Sequence, residues 1–378
     1  MHIECVKTSE QLDRADLADG WNRLAAHSPF VSWDWQEAWW RHYRGRSANG
    51  GRPGELLTLV VRDASGRLVG LAPWYLDRSV WQGRVLRFLG TRGVCSDYLG
   101  MLAEPGLEKE MAAAVADWLT DQAAGQWDLL DLESVDADDH VTRELGIEMK
   151  SRCCYLNVRP GPSCWRLELP NDWEQYLGRL SRAQRKHVRR YERSTFDGGL
   201  AVLRTVEREE ELPAALEILA ELHQQRQLSL GNAGRFSSER FMQFHHEVTR
   251  RFLRRGLLRL HWLEMKGRAV AAEYDLAGAR TIFSYQSGID PRATDNSPGQ
   301  LTTIATLKLA IEQGFAAYDF LRGDEPYKAT WRATPRPSIR LRIVAAHASA
   351  RMRHRVWVVA RTLKNQLAGA FQASDRHS

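Results

Sequence analysis

The sequence predicts an α/β (α+β) protein of two tandem modules with mixed central sheets flanked by helices, followed by a basic C-terminal helix. Three observations lead there. Two segments run through the same order of elements, and short strand-like runs alternate with stretches of helical apolar spacing. The chain of 378 residues, 43% apolar and 26% charged, is also long enough for two packed cores and too hydrophobic to be disordered.

The repeated order begins with the strand-like run Glu55 to Asp63, which turns at Ser65-Gly66 into RLVGLAPWYL. A breaker region, LGTRGVCSDYLGMLAEPG, then leads to a helix EKEMAAAVADWLTDQ and a strand WDLLDLESV. In the second segment GLLRLHWLEM turns at Lys266-Gly267 into RAVAAEYDLAG and TIFSYQSGI. There the breaker is DPRATDNSPG, the helix QLTTIATLKLAIEQ and the final strand AAYDFLRG. Leu301, Ile304, Leu307 and Ile311 keep helical spacing over 300–313, and Gly314 follows as a stop signal. We therefore expect modules over 1–165 and 166–340, with a basic amphipathic tail helix over 341–378.

Residues 170–232 read as helical. Asn171-Asp172 is a cap candidate before Trp173, Tyr176, Leu177 and Leu180, and Leu212, Leu216, Leu219 and Leu222 form one stripe of a second helix. Near the N-terminus, WNRLAAHSPFVSWDWQEAWWRHY carries five tryptophans, which predicts core burial; a groove for sugar or lipid is the sharper alternative.

The net charge of +6 is unevenly placed. After Glu325 there are 11 Lys or Arg and one acid, Asp375, which leaves 42 basic against 46 acidic residues before it. The body is slightly acidic and the tail basic, a pattern that suits a membrane surface, an acidic partner or RNA. Val356, Val359, Leu363 and Leu367 form a stripe in that tail with Trp357 beside it, fit either to lie on the inner membrane surface or to pack on the body. The first residues lack a signal-peptide core and no long uncharged apolar run occurs, so a cytoplasmic protein without a membrane span is expected. Cys5, Cys95, Cys153, Cys154 and Cys164 match no zinc or redox spacing and read as free thiols, with Cys153 and Cys154 on opposite faces of a strand. His223, His245 and His246 show no carboxylate spacing that suggests a metal.

Chemistry concentrates in the second module. Asn296-Ser297-Pro298-Gly299-Gln300 sits between a strand and a helix, where unpaired N–H groups and partial positive charge attract a pyrophosphate. From Tyr318 to Trp331, Asp319 lies within a strand, and Arg322, Asp324, Glu325, Tyr327 and Lys328 crowd the turn after it. Such a group can move a proton or grip a polar substrate, and it can also be an ion-pair network. In the hairpin 268–288, a turn at Ala277 to Arg280 would set Glu273 opposite Ser284 and Asp275 opposite Ile282. Glu273, Asp275, Ser284 and Gln286 then share one face while Ala272, Tyr274, Phe283 and Tyr285 share the other. SRAQRKHVRR, Ser181 to Arg190, lines Arg182, Lys186 and Arg189 or Arg190 along one side of a helix, where they could meet phosphates.

At these residues the chain resembles the CelD/BcsL-type GNAT acyltransferases, through SPGQLTTIATLKLAIEQGFAAYDFLRGDEPYKATW, the Arg-rich helix and YQSGIDP, and the resemblance covers roughly residues 1–335. It implies two GNAT-like halves, similar in arrangement to the FemABX aminoacyltransferases, and an envelope or exopolysaccharide-related acceptor. The usual GNAT pyrophosphate loop, Gln or Arg then x-x-Gly-x-Gly or Ala, is not intact; Gly299 alone matches clearly.

The reading that follows is acyl transfer from an acyl-CoA co-substrate without a metal. A carboxylate would generate the neutral nucleophile, with Glu273 or Asp319 as that base and Tyr327 or Tyr285 as the acid. Ser297, Gly299, Gln300 and Leu301 would hold the donor. Arg322, Asp324, Glu325, Lys328 and Trp331 would bind substrate. No Ser-His-Asp or Cys-His constellation is visible, which favours direct transfer. An aminoacyl-tRNA-dependent transferase and a non-catalytic scaffold in an envelope-polymer complex are the alternatives.

Overall fold

The computed structural model describes residues 1–44, 53–293 and 297–360. The chain opens with β1 (His2–Val6) and helices α1 (Ser9–Leu12), α2 (Ala15–Leu24) and α3 (Trp33–Tyr43). Thr8 caps α1 in a reciprocal box with Gln11, and Ser32 caps α3 by accepting from Trp35 N. Trp21, Trp35, Trp39 and Trp40 of the tryptophan-rich run are buried. Burying a side chain of that size contributes roughly 4–6 kcal/mol of transfer free energy. Their indole N–H groups still find acceptors, Trp21 at Val31 O and Trp35 at Ser96 Oγ.

Strands β2 (Glu55–Leu56), β3 (Thr58–Arg62), β4 (Leu68–Ala72), β5 (Trp74–Ser79), β6 (Gly83–Phe88) and β7 (Leu102–Ala103) follow. Next come α4 (Glu108–Thr120), β8 (Leu129–Asp136), α5 (His140–Ser151) and β9 (Tyr155–Pro160). The second half contains β10 (Cys164–Glu168), α6 (Trp173–Arg179), α7 (Arg182–Tyr191), β11 (Ala201–Thr205), α8 (Leu212–Ser229) and α9 (Glu239–Arg254). It continues through β12 (Leu258–Met265), β13 (Arg268–Ala277), β14 (Thr281–Ile289), α10 (Pro298–Glu312), β15 (Ala317–Arg322), α11 (Tyr327–Thr330), β16 (Thr334–Arg336) and β17 (Ser338–Val344).

These strands form three sheets, ordered β1-β3-β4-β7, β2-β5-β6-β8-β17-β9 and β11-β12-β13-β14-β15-β10-β16. Helices flank mixed sheets in both halves, the α/β class the sequence predicts. The repeated order also has a spatial counterpart. β6 and β8 run parallel around α4 with Val85 beside Leu129, and β14 and β15 run parallel around α10 with Thr281 beside Ala317.

The halves exchange strands. β10 lies between β15 and β16, whereas β17 crosses back to lie between β8 and β9. The tail helix expected from 341 therefore needs correction: 338–344 is a buried-side strand of the first half, and the described helix spans 348–360. Alternation explains the misreading, because Leu341, Ile343 and Val344 are buried while Arg340 and Arg342 point to acids on β8. Arg336 pairs with Asp136 at 3.1 Å, and Arg340 reaches Asp131 at 2.7 Å and Glu133 at 2.8 Å. Three of the eleven basic residues after Glu325, Arg336, Arg340 and Arg342, are thus counter-ions for an acidic strand far away in sequence. Val356 and Val359 are exposed on the helix, Trp357 covers the Arg342 guanidinium at 4.0 Å, and Leu363 and Leu367 lie outside the described residues.

Cys153 and Cys154 precede β9 rather than sit within a strand; Cys153 has a left-handed backbone and is exposed, while Cys154 is buried. Among the described residues no helix is long and apolar enough to cross a membrane, and no group of three His, Cys, Asp or Glu side chains is placed to hold a metal ion.

Candidate active site

β14 and β15 stay paired only over Thr281, Ile282 and Phe283 on one strand and Ala317, Tyr318 and Asp319 on the other. β14 then runs on to Ile289 and β15 to Arg322 without further pairing between them, so the strands part. A cavity of about 450 Å³ lies along this opening, a size suited to a small-molecule group. β13 and β14 contribute Glu273, Ser284 and Ser287, α10 contributes Gly299 and Gln300, and Tyr327 and Trp331 stand on the far wall.

The acid on this wall is Glu273. Its carboxylate accepts from Ser284 Oγ at 2.5 Å, and Asp275 follows two residues on. Asp275 is 1% exposed and accepts from Tyr318 Oη at 2.9 Å, while its Oδ1 has no hydrogen-bond partner among the described residues. Two neighbouring buried carboxyls resist being charged at the same time. Burial raises Glu273 to about 7, with the Ser284 hydroxyl pulling the other way. Burial and the neighbouring Glu273 charge hold Asp275 well above the usual carboxylate range. Asp275 is the deeper group and the one whose ionisation is the more strongly opposed; Glu273, at the cavity wall, is the one shifted to about 7.

A β-bulge between Tyr274 and Asp275 makes this arrangement possible. In place of the simple register expected from the hairpin, Glu273 stands opposite Ser287 and Asp275 opposite Ser284. Ser284 keeps its place on the polar face, but Ser287 takes the one expected for Gln286, which stands opposite Tyr274 and does not line the cavity. On the other face Tyr274, Phe283 and Tyr285 enter the aromatic core, where Tyr285 packs on Trp35 and His245 and donates to Val94 O at 2.6 Å. Tyr285 therefore has no place at the cavity as an acid. Tyr327 does line it, and packing around its phenol together with the Glu273 charge raises its pKa.

At the start of α10, Ser297 has a left-handed backbone (φ 49°) and does not cap with its side chain. Pro298 lacks an N–H, and the N–H groups of Gln300 and Leu301 both point back to Ser297 O. The Gly299 amide has no partner among the described residues, and a Cβ there would stand 2.7 Å from Ile289 Cδ1. Leu301 is buried in a small apolar cluster with Leu263 and Val270, away from any donor. The Arg-rich helix α7 lies close by: Gln184 and Arg226 of α8 line the cavity, and His187 Nε2 is 2.7 Å from Gln300 Oε1.

The string after β15 is drawn elsewhere. Asp319 is fully buried on the opposite side of its strand, where it accepts from Tyr98 Oη at 2.5 Å and from Leu321 N at 2.8 Å. Burial raises it to about 6, offset by those two donors. Arg322 fastens the two halves through Asp97 at 2.6 Å, the Ser96 carbonyl and Ser134 Oγ. Lys328 is 2% exposed, and its Nζ collects the carbonyls of Leu321, Arg322 and Gly323, two of which have positive φ. Asp324 accepts from Trp165 Nε1, and Glu325 pairs with Lys328. Arg322, Asp324, Glu325 and Lys328 thus build a turn and a seam and do not line the cavity; Trp331 does, although its carbonyl also accepts from Tyr176 Oη. Sequence reasoning put Asp275 on the face of Glu273 but gave it no role, and it missed Ser287, Gln184 and Arg226 as cavity residues.

Residues 182–329 match the family described as an acetyltransferase (GNAT) domain. A search of curated proteins finds no match. Among solved structures the fold is similar to FemX, with a TM-score of 0.63 at 11% identity over 92% of this chain and 98% of that one. It is also similar to a conserved protein of unknown function from Bacteroides thetaiotaomicron, with a TM-score of 0.53 at 10% identity over 90% and 100%. The C-terminal DUF2156 domain assigned to a lysylphosphatidylglycerol synthetase of Agrobacterium fabrum aligns with a TM-score of 0.51 at 8% identity over 90% and 94%. At such identities these likenesses speak for the fold. With the parted strands and the crossover helix lying inside the matched segment, the chain carries a GNAT acetyltransferase domain over residues 182–329 and is an acyltransferase of that type.

Proposed function

We propose that the protein transfers an acyl group directly from an acyl-CoA thioester to an amine or hydroxyl of an envelope or exopolysaccharide-related acceptor. The observation that carries the transfer chemistry is Glu273, an acid at the wall of the opened strand pair whose pKa burial raises to about 7, with the buried carboxyl of Asp275 behind it. Ionised Glu273 accepts the proton of the nucleophile, which attacks the thioester carbonyl. A C–N or C–O bond forms, the C–S bond breaks, and Tyr327 gives its proton to the departing thiolate. The Gly299 amide and Gln300 hold the donor at the start of α10. The acceptor class rests on the resemblance of the 297–331 string to CelD/BcsL-type enzymes.

One observation favours a second reading, with aminoacyl-tRNA as donor. Arg182, Arg185, Lys186 and Arg190 on α7 have no carboxylate partner among the described residues, and α7 borders the cavity through Gln184. Calorimetric titration with acetyl-CoA and a longer acyl-CoA separates the two. Saturable binding in wild type that disappears in Gly299→Trp is expected for the CoA donor. No binding of either thioester, with tRNA binding that weakens steeply as salt rises, would replace it with the RNA donor.

A further inference from the structure

A second cavity, of about 460 Å³, lies where the two halves meet, on the opposite side of β14 from the transfer site. The first half supplies its floor through Val31, Leu99 and Met101, and the second half adds Phe283; all four are buried and apolar. The rim carries three carboxyls, Asp136, Asp138 and Asp139, and three arginines; Asp139 is taken up by Thr142 N at the start of α5. Arg336 is neutralised by Asp136 and Asp138, and Arg166 by Glu168 at 2.7 Å. Arg280, exposed at the tip of the β13–β14 hairpin, has no carboxylate partner among the described residues.

A second feature marks the same cavity. Ser28 lines it, is 2% exposed, and stands at the N-cap position of the 3-10 turn Pro29–Val31. A serine there normally accepts from the backbone of its own turn. Ser28 makes no such bond, and its Oγ has no hydrogen-bond partner among the described residues. A buried hydroxyl left unpaired is unfavourable, and this one lines the cavity, where a bound polar atom would satisfy it. The surrounding joint is fixed: Ala279 N donates to Ala26 O at 2.8 Å, and Phe30 and Phe283 meet edge to face at 5.8 Å.

We infer that this interface cavity is a binding site for a small amphiphilic anion, with an apolar body against Val31, Leu99, Met101 and Phe283, an acceptor or donor at Ser28 Oγ, and one carboxylate or phosphate at Arg280. It is separate from the acyl-transfer cavity and does not depend on which donor that cavity takes.

The test is calorimetric titration of the full chain with octanoate, octyl phosphate and octanol. Both anions, or one of them if the site distinguishes carboxylate from phosphate, are expected to bind saturably and about tenfold or more tighter than octanol, the value of a charge-assisted hydrogen bond. Arg280→Ala, a change at an exposed position, should reduce the anion affinity to that of octanol. Met101→Trp should remove binding by filling the floor, with far-UV circular dichroism checking the fold. Gly299→Trp, which blocks the other cavity, should change nothing. Equal binding of octanol, anion binding unchanged in Arg280→Ala, loss of binding in Gly299→Trp, or no saturable binding of any of the three would each overturn the inference.

Discussion

The two parallel crossovers, β6–α4–β8 and β14–α10–β15, share their order of elements and differ in how each treats charge. α4 carries Glu108 and Glu110 in its first turn, so its own carboxylates meet the partial positive charge of the helix start. α10 has no acid in its first turn, and the Gly299 amide there has no partner among the described residues. The buried acids of the neighbouring strands differ in the same sense. Asp131 on β8 is surrounded by Arg87 and Arg340 at 2.7 Å each, with Arg342 beyond. Asp275 on β13 has a phenol and another carboxyl beside it, and Arg259 opposite it on β12 lowers its pKa without pairing with it among the described residues. The first unit has compensated its charges internally; the second leaves a helix start and the Glu273 carboxyl facing a cavity, with Asp275 buried behind it. One architecture therefore serves stability in one half and presents reactive groups in the other.

The largest effect should come from the uncompensated half. Glu273→Gln is expected to lower turnover by about 10²- to 10⁴-fold, the usual contribution of a positioned base, with circular dichroism unchanged. Asp319→Asn, on the other side of its strand, should leave turnover within a few-fold. If both variants kept full activity in an established assay, the base would have to be sought elsewhere.

In the first half the corresponding loss is one of stability. Asp131→Asn removes the shared partner of three arginines and should cost about 3–5 kcal/mol, read as a lower midpoint in denaturant. Burial alone would raise the Asp131 pKa; hydrogen bonds from Arg340 and the Arg87 charge outweigh it and hold it at about 2. A depressed carboxylate stabilises the fold above its unfolded pKa and loses that contribution as pH falls. The Asp131 share of stability is therefore present above about pH 4 and disappears toward pH 2.

Glu273 has the opposite sign. The folded state holds its proton more tightly, so stability should fall between the ordinary carboxylate pKa and about 7. Denaturation midpoints compared at pH 5 and pH 8 should show that fall in wild type and a flatter profile in Glu273→Gln. Over the same range, kcat/KM should rise with an apparent pKa near 7 that belongs to the Glu273–Asp275 pair. The smallest effect is expected at Glu108→Gln, which touches only the filled helix start: stability within about 0.5 kcal/mol and unchanged donor binding.

Much of this was legible in the chain. The strand at 281–289 and the helix following Ser297 needed only alternation, 3.6-residue spacing and a stop at Gly314. Glu273 could be noticed because a carboxylate in an apolar strand is costly without a reason. The DFLRGD string was equally conspicuous, yet its charges went into a turn and a seam. Charge and spacing alone do not distinguish a group that meets substrate from one that meets carbonyls of its own backbone.

What the sequence by itself determined was local: element types, the Trp-rich core, the polar face of β13 and β14, and a helix start with no acid. Those depend on periodicity and on the chemistry of neighbouring residues. Tertiary structure alone decided that β17 returns to the first half, that Arg340 and Arg342 are counter-ions of Asp131, and that Asp319 and Tyr285 lie behind the sheet rather than in the cavity. The physical reason is that long-range strand pairing and a one-residue bulge set which face each side chain takes, and neither leaves a periodic mark in the chain.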